Sequence, residues 1–267
     1  MMNRLNDTAF TDAEKRFVPY MMSSDPTPDL SVEIALMLQD AGVEAIEWGV
    51  PYSDPLADGP VIQQAGQRAL KNGGSLTVSL QKMKEARAKG LTVPSVLFTY
   101  VNPVLSYGFT KLIEELKDYG FDGLLIPDLP YEESHEYRAL CREKGISLIP
   151  LIAPSSKSRV EKITKEADGF VYYVTSLGVT GTRESFSETL KEEINTVKSF
   201  SKVPVLAGFG ISTPEHVQYF QEHADGAIVG SALVRKIASL EDSLKNPEEK
   251  DAALNEIKAF VQNLISY

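Results

Sequence analysis

Residues 44–60 read EAIEWGVPYSDPLADGP, a short apolar strand that contains a carboxylate and runs into a loop carrying three prolines. Period-2 strand geometry puts Ala45 and Glu47 on one face and Ile46 and Trp48 on the other. A strand this apolar on both faces is covered on both faces, so Glu47 is a charged residue on a buried surface. Taking a carboxylate out of water costs several kcal/mol unless it is paired, and it raises the pKa by up to ~4 to 5 units. Such a position needs a reason. Pro51, Pro55 and Pro60 restrict φ along the loop, so Asp54 and Asp58 ride on a backbone with little freedom left to lose.

Working outward, short β-branched and aliphatic runs recur at FVPYMM from 17, EAIEW from 44, VPSVLF from 93, GLLIP from 123, ISLIPLI from 146, FVYYV from 170, VPVLAG from 203 and GAIVG from 226, eight in all. Stretches with 3.6-residue periodicity lie between them, for example Val32, Ile34, Ala35, Leu38 and Ala41, or Leu112, Ile113, Leu116 and Tyr119. Gly42, Gly90, Gly120 and Gly145 precede strands, where helix C-caps belong. Eight strands alternating with helices, about one unit per 30 residues, describe a (β/α)8 barrel (TIM barrel). Residues 2–14 are expected to form a short leading helix across the barrel bottom, 59–89 a doubled helix split at Asn72-Gly73-Gly74, and 247–266 a terminal helix on the outside. No linker interrupts the chain, so residues 1–267 read as one barrel domain.

Hydrophobic residues make up 43% of the 267, enough for a sizeable core and against wholesale disorder. A net charge of -10 argues against a nucleic-acid-coating surface, so an anionic ligand must be held locally. Cys141 is the only cysteine, which excludes an intrachain disulfide or a cysteine metal cluster and suits a reducing compartment. The first residues are too polar for a secretory segment and no apolar run reaches the ~18 residues needed to span a bilayer, so a cytoplasmic protein is expected.

A barrel places its chemistry at the C-terminal ends of the strands, with a phosphate site after strands seven and eight. There the chain carries Gly208-Phe209-Gly210-Ile211-Ser212, and Gly230-Ser231 opening the helix ALVRKI. Glycines allow close backbone approach, and a helix N-terminus presents free N–H groups, so an anion can bind there without a lysine. Turn glycines alone are common, but two pairs at the two expected loops point the same way. The segment 176–185, SLGVTGTRES, reads as a hinged lid or as a mobile surface loop. His135, His216 and His223 fall in predicted helices away from the strand ends, and no metal spacing appears. Cys141 reads as packing, and Glu132-Glu133 and Glu192-Glu193 as solvated helix faces. Two carboxylates remain at the catalytic face. For Glu47 the alternative is an ion pair inside the barrel, and for Asp58 a cap on the helix starting at Pro60.

EWGVPYSDPLADGP, with SLGVTG from 176, AGFGIS from 207, GSA from 230 and IPDLPYEES from 126, resembles the tryptophan synthase α-subunit family, over essentially the whole chain. The resemblance implies cleavage of indole-3-glycerol phosphate to indole and glyceraldehyde 3-phosphate, with Glu47 as acid/base and Asp58 accepting the indole N–H. It implies Tyr172 beside Glu47 and Thr180 bringing the lid onto Asp58. Phosphate would fall to Gly181, Phe209, Gly210, Gly230 and Ser231, and the indole pocket to Tyr20, Phe98, Tyr100, Leu125 and Ile152. It also implies an α2β2 tetramer, in which pyridoxal phosphate belongs to the β subunit and this chain carries no cofactor. Residues 51–60, 102–103 and 128–130 would make that contact. The chain departs from the family pattern at Ser24, where Gly-Asp-Pro is usual, at Phe98 in place of Leu, and at Pro127. The alternatives are a stand-alone indole-releasing lyase and a barrel that only binds and activates a partner.

Overall fold

A computed structural model describes residues 3–156, 159–175 and 188–266. Nine parallel strand segments form one sheet: β1 Arg16–Met22, β2 Ile46–Gly49, β3 Ser95–Phe98, β4 Gly123–Leu125, β5 Ser147–Leu148, β6 Leu151–Ile152, β7 Val171–Val174, β8 Val205–Gly208 and β9 Gly226–Val229. The order β5-β4-β3-β2-β1-β9-β8-β7-β6 puts the two halves of the fifth run at the two ends. Each half bonds a different neighbour: Ile149 donates its N–H to Leu124 (2.9 Å), and the Pro150 carbonyl accepts from Tyr172 N–H (3.0 Å). Proline has no N–H to give, so the run breaks there and the covalent chain closes the ring. All eight apolar runs are strands of a (β/α)8 barrel.

Alternation along the strands sorts the core into two layers. Val18, Tyr20, Ala45, Val96, Phe98, Leu125, Ile149, Tyr172, Leu206 and Ile228 belong to the inner layer. Ile46, Trp48, Leu97, Leu124, Val171 and Tyr173 pack outward against the helices. The doubled helix appears as Pro60–Lys71 and Leu76–Ala88, and the terminal helix as Lys250–Ile265. Gly120 and Gly145 end their helices in the left-handed region, with φ of 96° and 72°.

The leading helix expected over residues 2–14 is instead two single turns, Arg4–Asn6 and Thr8–Thr11. Asn3 and then Asp7 accept backbone N–H groups as N-caps, and the second cap restarts the chain before the first turn can lengthen. Leu5 and Phe10 still plug the barrel bottom with Phe170. Below them Asp122 accepts from Arg4 (3.0 Å) and Arg87 (3.2 Å), so its buried charge is doubly paired.

After β1 the chain turns through Ser24 at φ 66°, followed by a cis Asp25–Pro26 bond. Asp25 accepts from Arg68 Nε and Nη2, each at 2.8 Å, a side-on bidentate pair. Ser24 is buried, and its hydroxyl finds no partner among the described residues. A non-glycine residue in the left-handed region and an unsatisfied buried hydroxyl both cost stability. Ser24→Gly removes both while adding unfolded-chain entropy, for an expected net gain of about 0.5–1 kcal/mol. Urea unfolding measures it, and an unchanged or lower midpoint would discard the strain account.

Candidate active site

Glu47 projects from β2 into the barrel, in register with Tyr20 on one side and Val96 on the other. It is 1% exposed, and its Oε1 has no hydrogen-bond partner among the described residues. Burial alone pushes its carboxyl up to about 8, with no charged neighbour among the described residues to oppose it. Among the described residues, no ion pair holds Glu47.

Asp58 stands across from it on the loop after β2. Burial raises its carboxyl to about 6, partly opposed by a hydrogen bond from the Tyr100 hydroxyl. That hydroxyl also accepts from Ala57 N–H at 3.3 Å, so it fixes the loop as well as the acid. Asp58 does not cap the following helix: the N-cap of Pro60–Lys71 is Gly59, without a side-chain bond.

Both carboxylates line one cavity of about 670 Å³ at the C-terminal ends of the strands. Its wall also includes Tyr20, Phe98, Tyr172, Phe209, Gly210, Gly230 and Ser231. Gly208 at the end of β8 is required by close approach, because a Cβ there would collide with the Tyr172 hydroxyl. Phe209 and Gly210 both take positive φ, 76° and 79°. This loop is pinned from behind by Thr175, which donates its N–H to the Gly208 carbonyl at 2.9 Å and its hydroxyl to Gly208 and Phe209 carbonyls. The helix Ser231–Ser239 starts after Gly230 with no side-chain cap, whereas Thr27, Ser75 and Thr213 cap theirs. Its first-turn amides are left for an acceptor from outside the helix.

Three of the expected wall residues stand elsewhere. Tyr100 lies behind Asp58 as its hydrogen-bond donor. Leu125 is buried in the inner layer with Tyr20, Phe98 and Tyr172 and is not among the residues lining the cavity. Ile152 belongs to the outer layer, because the break at Pro150 leaves Leu151 as the residue of β6 that packs inward. Thr180, Gly181 and the segment expected as a lid lie outside the described residues. Thr175 and Arg235 line the cavity without having been singled out from the sequence, while Ile211 and Ser212 line it from the glycine loop quoted there for the phosphate. Arg235 was findable: it follows Ser231 by four residues in ALVRKI, and positions four apart share a helix face. Backbone amides thus have a cation beside them after all.

Residues 51–60, 102–103 and 128–130 are tied into one surface beside this mouth. Asn102 donates to the Tyr52 hydroxyl at 3.1 Å, and Asp128 accepts from Val101 N–H at 2.9 Å. Leu56 is 87% exposed on that surface, and Leu105, in the helix Val101–Tyr107 that contains residues 102–103, is 54% exposed. The three histidines lie in helices, in His135–Lys144 and Pro214–His223. Among the described residues, no group of three or more His, Cys, Asp or Glu could hold a metal ion, and no helix is long and apolar enough to cross a membrane.

The family profile of the tryptophan synthase alpha chain matches residues 7–265. The tryptophan synthase alpha chain of Halalkalibacterium halodurans is 48% identical over 265 residues, spanning 99% of this chain and 100% of that one. That of Geobacillus kaustophilus is 49% identical over 248 residues, 93% of this chain and 92% of the other. The crystal structure of tryptophan synthase subunit alpha from Legionella pneumophila superposes with a TM-score of 0.84 at 32% identity, covering 98% of this chain and 100% of that one.

The isolation of Glu47 has a measurable consequence for stability. Its folded-state pKa is raised to about 8, so between the unfolded value of 4.5 and 8 the native state holds the extra proton. Stability from this group is full below pH 4.5 and is lost as pH rises through 8. Glu47→Gln is expected to flatten that decline, so its stability relative to the parent increases from pH 5 to pH 9 by about 4 kcal/mol. Denaturant unfolding at the two pH values tests this, and a constant difference would show that the carboxyl is solvated or paired.

Proposed function

The chain belongs to the tryptophan synthase alpha chain family, and from that membership we propose how its own residues carry out the family's reaction. The reaction is the retro-aldol cleavage of indole-3-glycerol phosphate to indole and glyceraldehyde 3-phosphate, in concert with a β subunit. The α2β2 assembly places pyridoxal phosphate in the β subunit, and the α chain's own step needs only acid–base chemistry.

One observation carries the assignment of roles: two carboxyl groups facing one cavity have their pKa values pushed apart, to about 8 for Glu47 and about 6 for Asp58. Near neutral pH the first is mostly an acid and the second mostly an anion, a division of labour set by environment. Glu47 gives its proton to indole C3, which places positive charge on the ring nitrogen. The Asp58 carboxylate accepts the ring N–H and stabilises that charge as it develops. The Glu47 carboxylate then takes the proton from the hydroxyl on the carbon attached to C3. The C–C bond breaks, its electron pair restores the neutral indole ring, and the O–H pair becomes the aldehyde carbonyl. Glu47 ends protonated, as it began.

The phosphate end of the substrate is assigned to Phe209, Gly210, Gly230 and Ser231, supported by positive φ in one loop and an uncapped helix N-terminus in the other, with Arg235 adding a cation at the rim. Tyr20, Phe98 and Tyr172 are assigned to the indole side, Tyr20 also reaching from there towards the loop that takes the phosphate. The surface carrying Leu56 and Leu105 is assigned to the β subunit, because large apolar side chains exposed at that level mark a docking face. Gly181 and Thr180 keep their assigned parts in phosphate binding and closure on the strength of the sequence resemblance.

Glu47→Gln is expected to bind substrate and release no indole, because an amide cannot shuttle the proton. Asp58→Asn should lose about 100-fold or more in turnover, the scale of removing one electrostatic stabiliser. Indole release by each purified variant is the measurement, and parent-like turnover by either removes that residue from its role. For the unmodified chain, kcat/KM is expected to rise through pH 6 as Asp58 ionises and to fall through pH 8 as Glu47 does. A profile still climbing at pH 9 would mean that Glu47 must start ionised, and would reverse the order of the steps.

A further inference from the structure

Tyr20 lies lengthwise across the cavity floor. Its Cβ sits 3.5 Å from where a side chain on Gly230 would begin, and its hydroxyl fills the space of a side chain on Gly49. The ring therefore runs from the loop that follows β9 to the end of the strand bearing Glu47. Phe98 holds it edge-on, with ring centroids 5.4 Å apart. The residue is 6% exposed, and among the described residues the hydrogen-bond contact of its hydroxyl is the Met22 sulfur at 3.9 Å, a weak acceptor. A buried O–H donor with so poor a partner is uncommon and asks for an acceptor. Burial, reinforced by Asp58, Tyr100 and Glu47, raises its pKa well above the ordinary tyrosine value, so it remains a donor throughout the working range.

If the indole ring sits at Glu47 and Asp58 and the phosphate at Gly230 and Ser231, as assigned above, the three-carbon chain between them passes over Tyr20. That chain carries two hydroxyls. The one beside the ring belongs to Glu47, and the one on the middle carbon has no assigned partner. We propose that the Tyr20 hydroxyl hydrogen-bonds the middle-carbon hydroxyl of indole-3-glycerol phosphate and selects for substrates that carry it. A site built around such a bond rejects an analogue lacking the hydroxyl, because the buried donor is then left unpaired.

The test compares Tyr20→Phe with the unaltered protein on three ligands: indole-3-glycerol phosphate, its analogue lacking only the middle-carbon hydroxyl, and indole-3-propanol phosphate as an inhibitor with neither hydroxyl. The expected result is a kcat/KM lowered about 5- to 10-fold for the parent substrate, the scale of one neutral hydrogen bond. Turnover of the deoxy analogue and inhibition by the propanol compound should stay within about two-fold of the unaltered protein. Equal losses on all three ligands would make Tyr20 a packing residue and overturn the proposal, as would no loss on any. Failure of the unaltered protein to release indole would overturn the reading of the site, and this proposal with it. A Tyr20→Phe effect shared by the deoxy analogue would overturn this proposal alone.

Discussion

A carboxyl group held inside a parallel barrel, with no counter-charge among the described residues, is the constraint on which the rest of this structure depends. Glu47 cannot turn to the outer face, because its strand is paired on both sides and its neighbours Ile46 and Trp48 are committed to the outer layer. Moving it outward would require a one-residue slip that turns the tryptophan into the barrel. The fold therefore carries an acid whose natural state at neutral pH is protonated. A group of that kind is a liability in a structural role and suited to donating a proton.

The surroundings keep that proton available. Asp58 lies in the same cavity but is tied to Tyr100 on a loop that three prolines stiffen, and it stays closer to the ordinary carboxylate range. The paired acids at the barrel bottom show the contrast: Asp122 is equally buried but accepts from two arginines and from backbone amides. The same side-chain chemistry is thus used for cohesion at one end of the barrel and left uncompensated at the other.

Closure of the ring follows a similar economy. The strand that would complete the cylinder contains a proline, and the missing N–H is accommodated by giving each side of the break to a different neighbour. Ile149 then faces in and Ile152 faces out, which shifts which residue of that run can approach the mouth. At the opposite side of the mouth, glycine at positions 49 and 208 makes room for the hydroxyl ends of Tyr20 and Tyr172. Two large polar aromatics thereby fit beside the carboxylates within a barrel of ordinary width.

The eight strands, the inward face of Glu47, the doubled helix after β2 and the glycine loops after β8 and β9 were all legible in the sequence. Each is written in local periodicity or in residues whose backbone preferences act over a few positions. The restart at Asp7, the outward turn of Ile152, the bond from Tyr100 to Asp58 and the entry of Arg235 into the cavity were not. They depend on groups far apart in the chain meeting in space, as does the split between the two carboxyl pKa values. Local pattern determined where the strands, helices and glycine turns lie; only the closed ring decided which side chains of the fifth run face inward and which groups meet, because burial and through-space charge are properties of the assembled structure.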